Sequence, residues 1–233
     1  MPKPTLPEWE RVLEAAARLQ QILPGAVLAG GTAAALHAQH RRSRDADHVL
    51  DDLPSRYDDV LAELEAVAGW KTARVQRPVQ ILERLDGIET GIRQMIRDEP
   101  LETIEIIEII EHGNVLRIPS AAEILRIKAV LILKRNATRD YVDFAALARH
   151  LGITKSVEAL RHLDEIYPQP NEESALQQLE MQLAAALPYD LEGVDLSEYR
   201  GLVAPWTDWN AVHAACAEIA IALFDGFAAR VRD

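Results

Sequence analysis

Residues 26–50, AVLAGGTAAALHAQHRRSRDADHVL, constrain the fold more than any other stretch of this chain. AVLA is short and apolar, as a buried strand is, and it runs straight into Gly30-Gly31. TAAALHAQH then places strong helix formers behind Thr32, a residue suited to capping a helix. RDADHVL reads as a second strand. A glycine pair between a buried strand and a helix start lets the backbone approach a ligand closely, with free N–H groups aimed at it. On a strand, Asp45 and Asp47 face the same way with Cα atoms about 6.5–7 Å apart. Carboxylates so placed can share one or two magnesium ions, which prefer hard oxygen donors. Taken singly, the same residues also suit an ordinary turn and a solvated strand end.

The rest of the chain extends this pattern. Trp9, Val12, Leu13, Ala16, Leu19, Ile22 and Leu23 keep helical spacing until Pro24-Gly25 stops the run. RYDDVLAELEAVAG is an amphipathic helix ending at Gly69. From 71 to 118 the signals are mostly β. Ile88, Thr90, Ile92, Gln94 and Ile96 alternate against Glu89, Arg93 and Arg97, and ETIEIIEII with HGN and VLRIP reads as a hairpin. Everything beyond residue 119 looks helical. The order predicts an α/β (α+β) protein: a mixed sheet flanked by helices over residues 1–118, and a helical region over 119–233.

A length of 233 residues suffices for one good core or for a domain with a helical extension. The formal net charge of −12 argues against a general nucleic-acid binder, so an RNA substrate must be met by a local patch. HRRSR (40–44), with Lys134, Arg135 and Arg139, is the basic cluster available. A single cysteine, Cys216, excludes a disulfide framework and a cysteine zinc site. No apolar run approaches the ~20 residues that span a bilayer, and the start MPKPTLPEWE lacks the apolar core of a signal peptide. These features predict a cytoplasmic protein.

A second cluster follows in PSAAEILRIKAVLILKRNATRDYVDFAAL. Ser120 and Glu123 form a capping box. Lys128 interrupts an apolar helix, either snorkelling past the core or held inward to meet an anion, and Arg135 lies on its face. Thr138 suits an N-cap, Asp140 favours the dipole of a first turn, and Arg139 with Asp143 suits an i,i+4 pair. His37 and His40 lack a third metal ligand. Trp206, Trp209 and Cys216 read as packing residues.

Together the two blocks resemble a family. GGTAAALHAQHRRSRDAD, through Gly30, Gly31, Thr32, His40, Arg41, Ser43, Asp45 and Asp47, is similar to the GGT…HR.S.D.D motif of the AbiEii/AbiGii-type nucleotidyltransferases. These are toxin-side enzymes of abortive-infection, type IV toxin–antitoxin systems, within the DNA-polymerase-β-like superfamily. Lys128, Arg135, Arg139, Asp140, Tyr141 and Asp143 resemble the family's later K..A...R...RDy.Dl..L block. The resemblance covers about residues 8–152.

It implies transfer of a nucleoside monophosphate from an NTP, with pyrophosphate released, to an RNA (tRNA) or protein acceptor, and a possible cognate antitoxin as partner. It implies triphosphate binding by Gly30, Gly31 and Thr32, helped by Arg41 and Ser43, and two magnesium ions on Asp45 and Asp47. It also implies charge neutralisation by Lys128 with Arg135 or Arg139. A catalytic aspartate of the later block maps to Asp140 or Asp143, both compatible with the motif. The superfamily's third metal carboxylate has Glu105 and Glu89 as candidates, with Glu105 taken as the third ligand. Ala46 and His48 stand where the family pattern has leucine and an apolar or aromatic residue. The alternative is a nucleotidyltransferase-fold binding or regulatory protein without transfer activity.

Overall fold

Residues 9–106, 115–170, 172–199 and 201–230 are described by the structure, a computed structural model. The chain divides into two compact units, Met1–Ala33 with Ser43–Ser120, and Ala34–Arg42 with Ala121–Asp233.

The first unit carries a five-stranded mixed sheet. Its strands are β1 (Val27–Leu28), β2 (Asp45–Leu50), β3 (Trp70–Gln76), β4 (Gln80–Leu85) and β5 (Ile88–Gln94), in the order β1-β2-β5-β4-β3. Only the β2–β5 pair is parallel. Helices α1 (Trp9–Ile22) and α3 (Tyr57–Glu65) supply Leu19, Tyr57, Val60 and Leu64 to a core closed by Leu50, Ile81, Leu85 and Ile92 from the sheet. Each such side chain contributes roughly 1.5–3 kcal/mol by leaving water. A separate ribbon pairs β6 (Thr103–Ile106) with β7 (Leu116–Pro119) antiparallel. That agrees with the predicted hairpin, whose HGN turn lies outside the described residues.

The second unit is helical. It comprises α4 (Ala121–Arg135), α5 (Thr138–Leu151), α6 (Ile153–Leu160), α7 (Leu163–Ile166), α8 (Ala175–Ala184) and α9 (Trp209–Arg230). Helix α5 packs against α4, α6 and α9, so nearly its whole circumference is buried. Among the described residues no helix is long and apolar enough to cross a membrane. Helix α2 (Gly30–Ala38) starts in the first unit and continues into the second.

Three local expectations change. Helix α2 begins at Gly30, and the Thr32 hydroxyl donates to the Asp45 carbonyl instead of capping. Thr138 is the first residue of α5, where its N–H and hydroxyl both donate to Asp190 Oδ1 at 2.7 Å, a cap brought by a distant loop. Strand β5 ends at Gln94, short of Ile96, and Arg97 beyond it donates to the carbonyls of Glu99 (2.8 Å) and Pro100 (2.6 Å).

Candidate active site

Alternation along β2 sends Ala46, His48 and Leu50 into the core and leaves Asp45 and Asp47 together on the opposite, half-open face. The strand is pinned on both sides: Ala29 N–H donates to the Asp47 carbonyl at 2.8 Å, and the Thr90 hydroxyl donates to the Ala46 carbonyl. Ser43 donates to Asp45 Oδ1 at 2.5 Å.

Two glycines make room around Asp47. Gly30, the first residue of α2, has φ +67°, and a Cβ there would lie 3.8 Å from Asp47 Oδ2. Gly91 is the β5 partner of Asp47, and a Cβ there would lie 3.0 Å from Asp47 Oδ1. The first-turn amides of α2, at Gly31 and Thr32, have no intrahelical carbonyl to bond and carry the positive end of the helix dipole. A helix N-terminus beside two acids sharing one strand face is an arrangement suited to phosphates held with a hard cation.

The candidates for a third carboxylate fare differently. Glu89 is the register partner of Asp45 on β5, but it is exposed and pairs with Arg84 at 2.5 Å. Glu105 lies exposed on the separate ribbon, opposite Arg117, and not in the sheet of Asp45 and Asp47. Glu83 belongs to no motif of the sequence. It sits on the core face of β4, register partner of Thr90, 2% exposed, with neither carboxylate oxygen hydrogen-bonded. Burial first, then the Asp47 charge, push its carboxyl up to about 9. The signal for it was present in QILERL, where alternation puts Glu83 in line with Ile81 and Leu85. Among the described residues no three of His, Cys, Asp or Glu gather to hold a metal ion.

His48, the departure beside the acids, is fully buried and donates through Nδ1 to the Ala46 carbonyl at 2.9 Å. Burial brings it down to about 4, against the Ala46 and Ala16 carbonyls that favour its proton. It is a neutral core residue.

The residues of the later block assemble within the second unit. Asp143, fully buried, accepts from His40 Nε2 at 2.7 Å and from Arg41 through Nε at 2.7 Å and Nη2 at 3.1 Å. Lys128 Nζ lies 2.6 Å from Asp143 Oδ2 and 3.2 Å from Asp140 Oδ1, so the lysine is held inward and does not snorkel. Arg135 completes Asp140, with Nη2 donating to Oδ1 at 2.7 Å. Burial acts to raise the Asp143 carboxyl, but Arg41, Lys128 and the His40 bond outweigh it and hold it well below the usual range. The i,i+4 pairing of Arg139 with Asp143 is replaced by these partners. Arg139 is exposed, with its charge felt by Asp190 and Tyr199. Trp206 is buried under the Arg149 guanidinium, and Trp209 meets Tyr141 edge-on, so both serve packing.

A hard cation fits the donor set on β2. Asp45 and Asp47 offer oxygen ligands on one half-open face, and neither Gly30 nor Gly91 sets a side chain against the Asp47 carboxylate. Magnesium characteristically takes one or two carboxylates and completes its shell with phosphate and water.

Curated proteins that match include the heme uptake protein MmpL11 of Mycobacterium tuberculosis, 31% identical over 135 residues. The mycolic acid-containing lipids exporter MmpL11 of Mycolicibacterium smegmatis is 30% identical over 136 residues. Each match takes in 55% of this chain and 13% of the relative, so the chain spans about an eighth of the length of these relatives. JHP933 from Helicobacter pylori is similar in fold over 98% of this chain and 97% of its own, with 15% identity and a TM-score of 0.53. A further H. pylori structure, described as a nucleotidyltransferase, is similar over 93% of this chain and 94% of its own, with 15% identity and a TM-score of 0.54. The family model "Nucleotidyl transferase AbiEii toxin, Type IV TA system" matches residues 11–211. With that match spanning both the acidic strand and the buried lysine network, the chain belongs to the AbiEii nucleotidyltransferase family.

Proposed function

We propose that this chain transfers a nucleoside monophosphate from an NTP to an RNA or protein acceptor, with Asp45 and Asp47 as ligands of magnesium. The observation that carries the reading is the β2 face, where both acids stand beside the start of α2, with Gly30 and Gly91 lying against Asp47. When bound, magnesium would draw charge from the phosphates and favour departure of pyrophosphate. The Gly31 and Thr32 amides would hold phosphate oxygens, which suits dipoles fixed in advance of the reaction. Ser43 orients Asp45 by occupying Oδ1, which leaves Oδ2 for ligation.

In the second unit, Lys128 and Arg41 keep Asp143 ionised, and Arg135 with Lys128 serves Asp140. Asp140 and Asp143 differ in partners: Asp143 carries the His40–Arg41 segment, whereas Asp140 ties the end of α4 to the start of α5. Arg139 is the exposed arginine of this block, with its charge felt by Asp190 and Tyr199. A type IV toxin role, a cognate antitoxin and action in the cytoplasm follow from family membership as parts of the same proposal.

The test is incubation of the purified chain with magnesium and each α-labelled NTP, beside total tRNA and cell extract. A control carries Asp45→Ala with Asp47→Ala. Label transferred by the unaltered chain alone is the expected result, and it names the nucleotide and the acceptor class. Absence of transfer with all four NTPs and both acceptor pools would favour a binding or regulatory protein on this fold, a reading that the lack of a three-carboxylate cluster among the described residues supports.

A further inference from the structure

We propose that the Asp45–Asp47 site works with a single magnesium ion brought by the nucleoside triphosphate, in place of the pair that the resemblance implies. The proposal rests on the nucleotidyltransferase reading above and concerns the donors that β2 and β5 present among the described residues.

Strand β5 runs parallel beside β2, so the residue opposite Asp47 would present its side chain to the Asp47 carboxylate. That residue is Gly91, which has no donor. The space is not simply empty: a Cβ there would lie 2.8 Å from Leu82 Cδ2 as well as 3.0 Å from Asp47 Oδ1, so an apolar side chain from β4 flanks the position. The next acid on that face of β5, Glu89, stands opposite Asp45 but is exposed and bonded to Arg84 at 2.5 Å. Glu83 is excluded by direction, since its side chain lies with Ile81 and Leu85 on the other face of the sheet. One oxygen of Asp45 is already taken by Ser43.

Two ions about 3.5–4 Å apart need carboxylates that bridge them and offset their combined charge. Two aspartates offset about half of that charge. A single ion needs no more than one or two carboxylates, with triphosphate oxygens and water filling the octahedron. The donor count on β2 and β5 therefore matches one ion that becomes tightly held only when nucleotide is present.

The experiment counts ions directly. Full-length protein is titrated with Mn2+ in the presence of the α,β-methylene analogue of each NTP, and bound metal is followed by electron paramagnetic resonance. One Mn2+ per chain, with the spectrum of an isolated ion, is expected, and Asp45→Asn with Asp47→Asn abolishes it. Adding a donor through Gly91→Asp, with Leu82→Ala to clear space, raises the count to two and gives a spin-coupled spectrum. Two coupled ions in the unaltered protein would overturn the single-ion proposal while leaving nucleotidyl transfer standing. An unaltered protein that binds neither Mn2+ nor any analogue would overturn both. The count on the unaltered protein decides the matter even where the double substitution fails to fold.

Discussion

Burial and the Asp47 charge keep Glu83 a neutral acid until about pH 9, whereas an unperturbed glutamate ionises near 4.5. The folded state thus binds a proton that the unfolded chain has released, so the Glu83 contribution to stability is present below about pH 4.5 and is lost as pH rises toward 9. Replacing it by methionine, which fills similar space without orphaned oxygens, is expected to stabilise the protein at pH 8 by on the order of 2 kcal/mol. Urea midpoints at pH 5 and pH 8 check this; an equal effect at both would mean that Glu83 ionises normally.

His48 works in the opposite direction. Its folded value of about 4 lies below the ordinary 6.5, so the unfolded state gains the proton first and stability falls on acidification between those values. The slope is about 1.4 kcal/mol per pH unit across that window, and it should vanish in His48→Leu. Asp143, held low by Arg41 and Lys128 against its burial, gives stability at neutral pH that is lost only as pH falls through its depressed value. Asp143→Ala takes the shared carboxylate from buried Lys128 and half-buried Arg41, and a loss of about 3–5 kcal/mol in chemical unfolding is expected.

At the scale of elements, the start of α5 depends on a loop far along the chain. Asp190 accepts from both the amide and the hydroxyl of Thr138, and Asn136 joins Tyr141, Gln182 and the Leu187 carbonyl across the α4–α5 turn. Asp190→Ala removes the cap and is expected to cost about 0.5–2 kcal/mol. Melting temperature measures the loss, and Asp190→Asn, which keeps an acceptor, should recover most of it. The start of α2 rests on backbone conformation instead. Gly30 at φ +67° is in the left-handed region, so Gly30→Ala should cost about 1–2 kcal/mol in stability. These two helix starts also show where the sequence misled. Thr32 and Thr138 both read as N-caps, yet α2 starts earlier on a glycine and α5 borrows its cap from residue 190.

At the scale of the whole molecule, ligand linkage gives the broadest check. A nucleotide and metal bound only by the folded chain, at 100 times the dissociation constant, would add about 2.7 kcal/mol. For a chain of this size each kcal/mol moves the melting temperature by about 2–4 °C. Mg2+ with the preferred NTP is therefore expected to raise the melting temperature by several degrees, and Asp45→Asn with Asp47→Asn to remove the rise. A rise that persists in the substituted protein would place the ligand elsewhere.

The sequence by itself determined the element order and the acidic β2 face, because these follow from local periodicity and spacing, while the grouping of Lys128, Arg135, Asp140 and Asp143 came from the family resemblance. Alternation along a strand and the three-to-four residue repeat of a helix are properties of neighbouring residues. The tertiary structure alone decided the partners. That Gly91 stands opposite Asp47, that Leu82 flanks it, and that Glu105 belongs to another ribbon are consequences of strand register, which no local pattern encodes. The same holds for His40 and Arg41 meeting Asp143 about a hundred residues later: burying that carboxylate requires cations from wherever the packed chain can bring them.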